Sequence, residues 1–418
     1  MAITARSLAA PARRCAAALA AVVLCAAAAP AAFADDPAPA ASPKLPKGLY
    51  GSTDPKYDGV WRQSLALLAQ DTAGVRPADS AVDWLAGQQC ADGAFTAYRA
   101  DPKQPCDAKT MRDTNQTAAA VQALAAVGGH ADAVREGVSW LKSAQNDDGG
   151  WGSAAGAPSD ANSTSVVIGA LAATGTKPES VTAKKGGKTP YEGLLAFRLG
   201  CDVEEKDRGA FAFQAKEGKL AANEDATAAA VPGALGKGFV VEPGAHAPAK
   251  TSCGEAAKDA RGAAGDAADQ LVSVLDAHGH HLMSAMPGAE SQPDVGNTAD
   301  AVVALAAAGR ADAAKQSLGW LRGHSAAWAK QSGPAAYAQL ILAAHATGGD
   351  PRDFGGTDLV TKLNATGPKP ASAASDQRAD KEQQDEGGIS VWWVVVVGLA
   401  AGAGIGFLLS GRRKQNEL

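Results

Sequence analysis

Aromatic residues are scarce, 5% of the 418. With bulky strand formers this rare and alanine used throughout, close-packed helices are favoured over strands. Basic charge is also sparse. The formal net charge is -5, and no Lys/Arg cluster stands outside the C-terminal tail, which excludes nucleic acid as the expected partner. Of the six cysteines none forms a C-x-x-C pair, so the ligand spacing of a structural zinc site is missing.

The two ends read as addresses. Arg6, Arg13 and Arg14 precede an apolar run over 15–30, and Ala32-Phe33-Ala34 supplies a small-x-small cleavage pattern, so 1–34 is expected to be a signal peptide. Residues 35–54 begin Pro/Ala/Ser-rich and read as a flexible entry, and 366–388 are polar and acidic, a disordered stalk. Residues 389–410 are uncharged and long enough as a helix, roughly 33 Å, to span a bilayer. Trp392 and Trp393 lie at its outer end, and Arg412, Arg413 and Lys414 follow in the basic tail 411–418. The expectation is an exported body, residues 55–365, anchored in the bacterial cell membrane by one C-terminal helix.

Four cysteines remain after signal removal. In an exported chain they are expected to form two disulfides, Cys90 with Cys106 across a short polar loop and Cys201 with Cys253.

The body repeats. Residues 113–128 (DTNQTAAAVQALAAVG), 160–175 (DANSTSVVIGALAATG) and 294–309 (DVGNTADAVVALAAAG) each carry an acid four residues before Thr, an Ala-Leu pair and a closing Gly. Asp suits an N-cap and Gly a C-cap, and a helix this apolar on every face has to be buried. Residues 223–236 join the set, with 61–73 and 335–348 as weaker members. Amphipathic helices follow at 80–89, 131–145, 191–199, 256–277, 311–323 and 359–364. Six pairs of one buried and one half-exposed helix predict an all-α fold, an α/α toroid of six inner and six outer helices. Closure into a ring is preferred, because an inner layer open to water would carry a polar stripe.

Two outer helices end alike. WLAGQQCADGAF (84–95) and WLKSAQNDDGGW (140–151) share aromatic, Leu, three residues, Gln, three residues, Gly, one residue, aromatic. This resembles the QW motif of the squalene and terpenoid cyclase superfamily, with its prenyltransferase/squalene oxidase repeats. The resemblance implies the toroid of that superfamily, shared with protein prenyltransferases, complement thioester domains and the cobalamin carriers intrinsic factor and transcobalamin. Later copies decay: Leu199 replaces the Gln ahead of Gly209-Ala210-Phe211, and Trp320-Leu321 leads only to Ser325.

Catalytic signatures of those relatives are missing. Class II cyclases carry D-x-D-D-T at an inner-helix start, the middle Asp donating the proton. Here the middle position holds Asn115, Asn162 and Gly296, and an amide cannot protonate an alkene. Asp225 alone keeps an acid there and is the only candidate catalytic residue, with helix capping as its other reading. No inner-helix cysteine completes a prenyltransferase zinc triad. His278, His280 and His281 form the one imidazole cluster, a weak candidate metal site or a solvated turn. Ala256 stands where a thioester needs Gln.

The reading is a non-catalytic, monomeric ligand-binding toroid without a cofactor. Its site would be a mouth lined by Asp113, Asn115, Gln116, Asp160, Asn162, Glu224, Asp225, Asp294 and Asn297. Residues at equivalent helix starts in a ring converge at one end. The resemblance implies a corrinoid such as cobalamin as ligand, handed to a membrane transporter. The alternatives are a terpenoid cyclase or prenyltransferase-like enzyme acting on an isoprenoid, and a cell-envelope scaffold.

Overall fold

The computed structural model describes residues 45–244, 259–284 and 291–371. The expected signal peptide, most of the stalk, the apolar segment 389–410 with its basic tail, and Cys253 lie outside the described residues. Among those described, no helix is long and apolar enough to cross a membrane.

Six helices rich in Ala, Val and Leu form the inner layer: α1 (Gly59–Thr72), α3 (Thr114–Val127), α5 (Ala161–Ala173), α7 (Glu224–Ala234), α9 (Val295–Ala307) and α12 (Pro334–Ala346). Each is followed by an outer helix: α2 (Asp79–Gly87), α4 (Ala131–Ser143), α6 (Pro190–Leu195), α8 (Ala260–Ala277), α10 (Ala311–His324) and α13 (Leu359–Asn364). A short helix not expected from the sequence, α11 (Ala326–Ser332), stands between α10 and α12. Every inner helix packs on the next, and α12 packs on α1, so the six close into a ring. Because each outer helix carries the chain back, all six inner N-termini lie at one end. Alanine lets these helices approach closely, and most of the core is theirs.

The repeated Asp and Thr have separate tasks. Asp113, Asp160 and Asp294 cap α3, α5 and α9, accepting from the backbone N–H of Gln116, Ser163 and Asn297; Asn223 does the same for α7 through Ala226. The Thr hydroxyl accepts from the turn arriving from the previous repeat. Phe95 N donates to Thr117 Oγ1 at 2.8 Å, Trp151 N to Thr164 Oγ1 at 3.0 Å, Phe211 N to Thr227 Oγ1 at 3.0 Å and Leu282 N to Thr298 Oγ1 at 2.9 Å. These four inner helices, α3, α5, α7 and α9, are therefore latched to the turns that deliver them, and the donor is backbone whatever the residue.

The glutamines of the two QW-like turns also act on backbone. Gln89 Nε2 donates to Gly93 O and Ala133 O, and Gln145 Nε2 to Gly149 O. Fully buried Trp151 donates from Nε1 to Leu141 O at 2.7 Å. Gly149 needs its hydrogen: φ is +88°, and a Cβ would stand 2.4 Å from Thr189 O at the start of α6. In the third turn the sequence reading placed the lost Gln at Leu199. Structurally Arg198 pairs with Phe211 as Gln89 does with Phe95, and it ion-pairs with Asp266 of α8 at 2.7 Å.

Two expectations need correction. The entry segment 35–54 is core in part: Leu49 and Tyr50 are buried, Tyr50 OH donates to Gln70 Oε1 and Pro368 O, and Gly51 N donates to Thr366 O. The segments flanking the ring thus clasp each other beside α1. The inner helices are also not apolar on every face; the polar stripe taken as absent is present and faces inward. The Cys90–Cys106 disulfide is formed and Cys201 is disulfide-bonded.

Candidate functional site

The inner faces of the ring enclose a cavity of about 240 Å³. Its wall repeats at helical spacing: Trp61 and Leu65 from α1, Asn115 and Gln122 from α3, Asn162, Ser165 and Val166 from α5. Asp225, Ala228, Ala229 and Pro232 come from α7, Asp300 and Val303 from α9, and Gln339 and Leu342 from α12. The mouth lies at the N-terminal end of the inner helices. The other end is crossed by residues 236–243, which leave α7 and reach α12, where Glu242 lies 3.4 Å from His345 Nε2. Within this segment Phe239 N donates to Gln122 Oε1 at 3.0 Å, and the Phe239 ring meets Trp61 edge to face at 5.4 Å.

Of the nine expected mouth residues, Asn115, Asn162 and Asp225 line the cavity. Asn162 Nδ2 donates to Asp225 Oδ2 at 2.6 Å, joining α5 to α7. The other six stand outside the cavity wall. Asp113, Asp160 and Asp294 are turned onto their own helix starts as caps, and Asn297 Nδ2 donates to Asp294 Oδ2. Gln116 points toward Tyr57 O, and Glu224 is half-buried beside the wall.

Sequence reasoning missed Gln122, Ser165, Asp300 and Gln339. A register signal was available for the acid. Gly296 holds the position of Asn115, Asn162 and Asp225, and Asp300 stands one helical turn deeper on the same face. Trp328 fills the space beside Gly296, its ring 3.3 Å from where a Cβ would be. Gln339 Nε2 donates to both oxygens of Asp300 at 3.2 Å.

Electrostatically the cavity is acidic and poorly solvated. Burial pushes the Asp300 carboxyl up to about 7, opposed by the Gln339 hydrogen bond and reinforced by repulsion from Asp225 and Asp294. Burial also raises Asp225, partly offset by Asn162 and increased by Asp294. Asp160 and Asp113 are raised by burial against their capping bonds. Asn115 Oδ1, Asn162 Oδ1 and Ser165 Oγ are buried without a hydrogen-bond partner.

Comparison with known proteins gives no family. No protein-family profile matches the chain, and no curated protein does. Among solved structures, a protein from Actinoplanes superposes with TM-score 0.44 at 14% identity, over 72% of this chain and 92% of that one. A wild-type glycosidase gives TM-score 0.42 at 13% identity, over 70% and 86%. Likeness at this level assigns no activity, and the cyclase resemblance rests on the sequence motifs alone.

The histidine cluster is dispersed. His278 Nδ1 lies 2.8 Å from Val274 O, His280 Nδ1 lies 3.3 Å from Asp276, and His281 stacks on Trp320 at 4.4 Å. Among the described residues no group of three or more His, Cys, Asp or Glu side chains is placed to hold a metal ion.

Proposed function

We propose that the ring is a binding protein for a small polar or amphipathic solute held in its central cavity. The observation that carries this reading is a central cavity with partnerless buried oxygens on its wall, since buried polar atoms without partners are costly unless something else satisfies them. Its volume speaks against a corrinoid, because pockets that take drug-sized ligands run from about 300 to 1,000 Å³. In this reading the apolar segment 389–410 holds the ring outside the cell membrane, where it passes solute to a transporter. Calorimetry of the full-length chain with a panel of small neutral, cationic and anionic amphiphiles tests the cavity. Binding abolished by Ala229→Phe, which fills it, supports the reading; silence across the panel, or binding that survives the block, sinks it.

A second reading is favoured by one observation. An acid whose carboxyl is pushed up to about 7 is poised for general-acid work at neutral pH. Asp300, rather than Asp225, would then deliver the proton. Turnover of a bound ligand, lost in Asp300→Asn with binding retained, would make the protein an enzyme.

A further inference from the structure

The cavity wall is mostly apolar, and the buried polar atoms left without a partner on it are oxygens. Asn162 and Gln339 each direct their amide nitrogen at a carboxylate, Asp225 and Asp300, and the partnerless Asn oxygens are acceptors. Ser165, 4% exposed on the same wall, has a hydroxyl without a partner. Asp225 and Asp300 add carboxylates, and Asp294 stands near enough to repel both. Among the described residues no Lys, Arg or His forms an ion pair with any of these three. Lys237, the cationic residue on the wall, follows the C-terminal end of α7, and Asp225 lies roughly 14 Å of helix before that end. Trp61 and Phe239 supply π surface in the same cavity.

The geometry points to a small organic ammonium ion as the ligand. Its charged end lies among Asp225, Asp300 and the oxygens of Asn115 and Asn162, and its hydrocarbon body against Trp61, Phe239, Leu65, Val303 and Leu342. This rests on the ligand-binding reading above and narrows it to one charge class. A cation supplies the opposite charge that the buried carboxyls lack, so its arrival drives a proton off them. The groups facing Asp300 are Asp225 on α7, Asp294 on its own helix and the neutral Gln339 on α12, with Lys237 as the counter-charge at the far end.

The test uses four probes on the full-length chain: choline, its neutral isostere 3,3-dimethylbutan-1-ol, butylammonium and butyrate, each titrated calorimetrically at pH 5 and pH 8. Both ammonium ions are expected to bind, more tightly at pH 8, with the isostere about tenfold weaker. Butyrate should give no heat. Asp225→Asn should weaken choline about tenfold and leave the isostere unchanged. An isostere that matches choline, or butyrate binding where the cations do not, overturns the charge assignment and leaves the ligand-binding reading standing. No heat from any of the four overturns the inference, and the wider panel above then decides the reading beneath it.

Discussion

Replacing Asp300 by Asn should change how stability depends on pH more than it changes the structure. The amide keeps the shape of the carboxyl and can still bond Gln339. In the native protein the carboxyl is raised from 3.8 to about 7. Below 3.8 the group is protonated in both states and contributes nothing. Between 3.8 and about 7 the folded chain holds a proton that the unfolded chain releases, so unfolding free energy falls as pH rises. Above 7 the loss is complete, at most about 4 kcal/mol from ~1.4 kcal/mol per pH unit. Asp300 is only half-buried, since part of it borders the cavity, and water there relieves some of the desolvation. We therefore expect about 2–4 kcal/mol. Urea unfolding of wild type and Asp300→Asn at pH 4.5, 6 and 8 measures it. Asp160 and Asp225 are raised too and tilt the wild-type curve the same way, so the difference between the two proteins reports Asp300 together with its coupling to Asp225. The variant should exceed wild type by only about 1 kcal/mol at pH 4.5, just above 3.8, and by the full amount at pH 8. A stability difference that does not vary with pH would refute the argument.

Thr164→Val removes the acceptor for the buried Trp151 N–H and should cost about 1–3 kcal/mol in urea unfolding. A loss below a few tenths would show that the latch carries no weight. Replacing Cys90 and Cys106 together by Ser opens a link with sequence separation 16, and a loop of that size is worth roughly 3 kcal/mol, readable as a lowered thermal midpoint. Gly149→Ala meets both a left-handed backbone and Thr189 O, so it should lose more than about 1 kcal/mol. An unchanged midpoint there would contradict the close packing of the turn against α6.

The helix pairs were legible because two local signals coincide in them. Asp and Gly mark the ends of α3, α5 and α9, and the apolar middles forbid exposure. Ring closure was also inferable, although from the wrong premise: Gln122, Ser165, Asp300 and Gln339 do form a polar stripe, and it faces the central cavity instead of the outer surface. Asp300 was hidden because it interrupts an otherwise aliphatic run and reads as a tolerated exception. The mouth was half legible. Equivalent positions do converge, but Asp113, Asp160 and Asp294 turn back to cap their helices, so convergence of backbones did not bring their carboxylates into the cavity. The crossing segment 236–243 carried no signal, since its role depends on Gln122 and Trp61, which are distant in sequence. Leu49 and Tyr50 were lost in a composition that resembles a linker.

The clasp beside α1 joins positions far apart in the chain: Tyr50 to Pro368, 318 residues on, and Gln70 to Asn364, 294 on. An open stack of repeats has two end units with one neighbour each, and it can begin or come apart from either end. A closed ring has no end units, so where the polypeptide starts is arbitrary to the architecture. Joining residues near 45 and 371 and opening the chain in an exposed inter-repeat turn would preserve every packing contact between inner helices. The thermodynamic gain from the join is modest, because closure entropy grows only with the logarithm of length. Folding speed is the more sensitive quantity, since the contact that completes the circle spans almost the whole body and is the slowest kind to find.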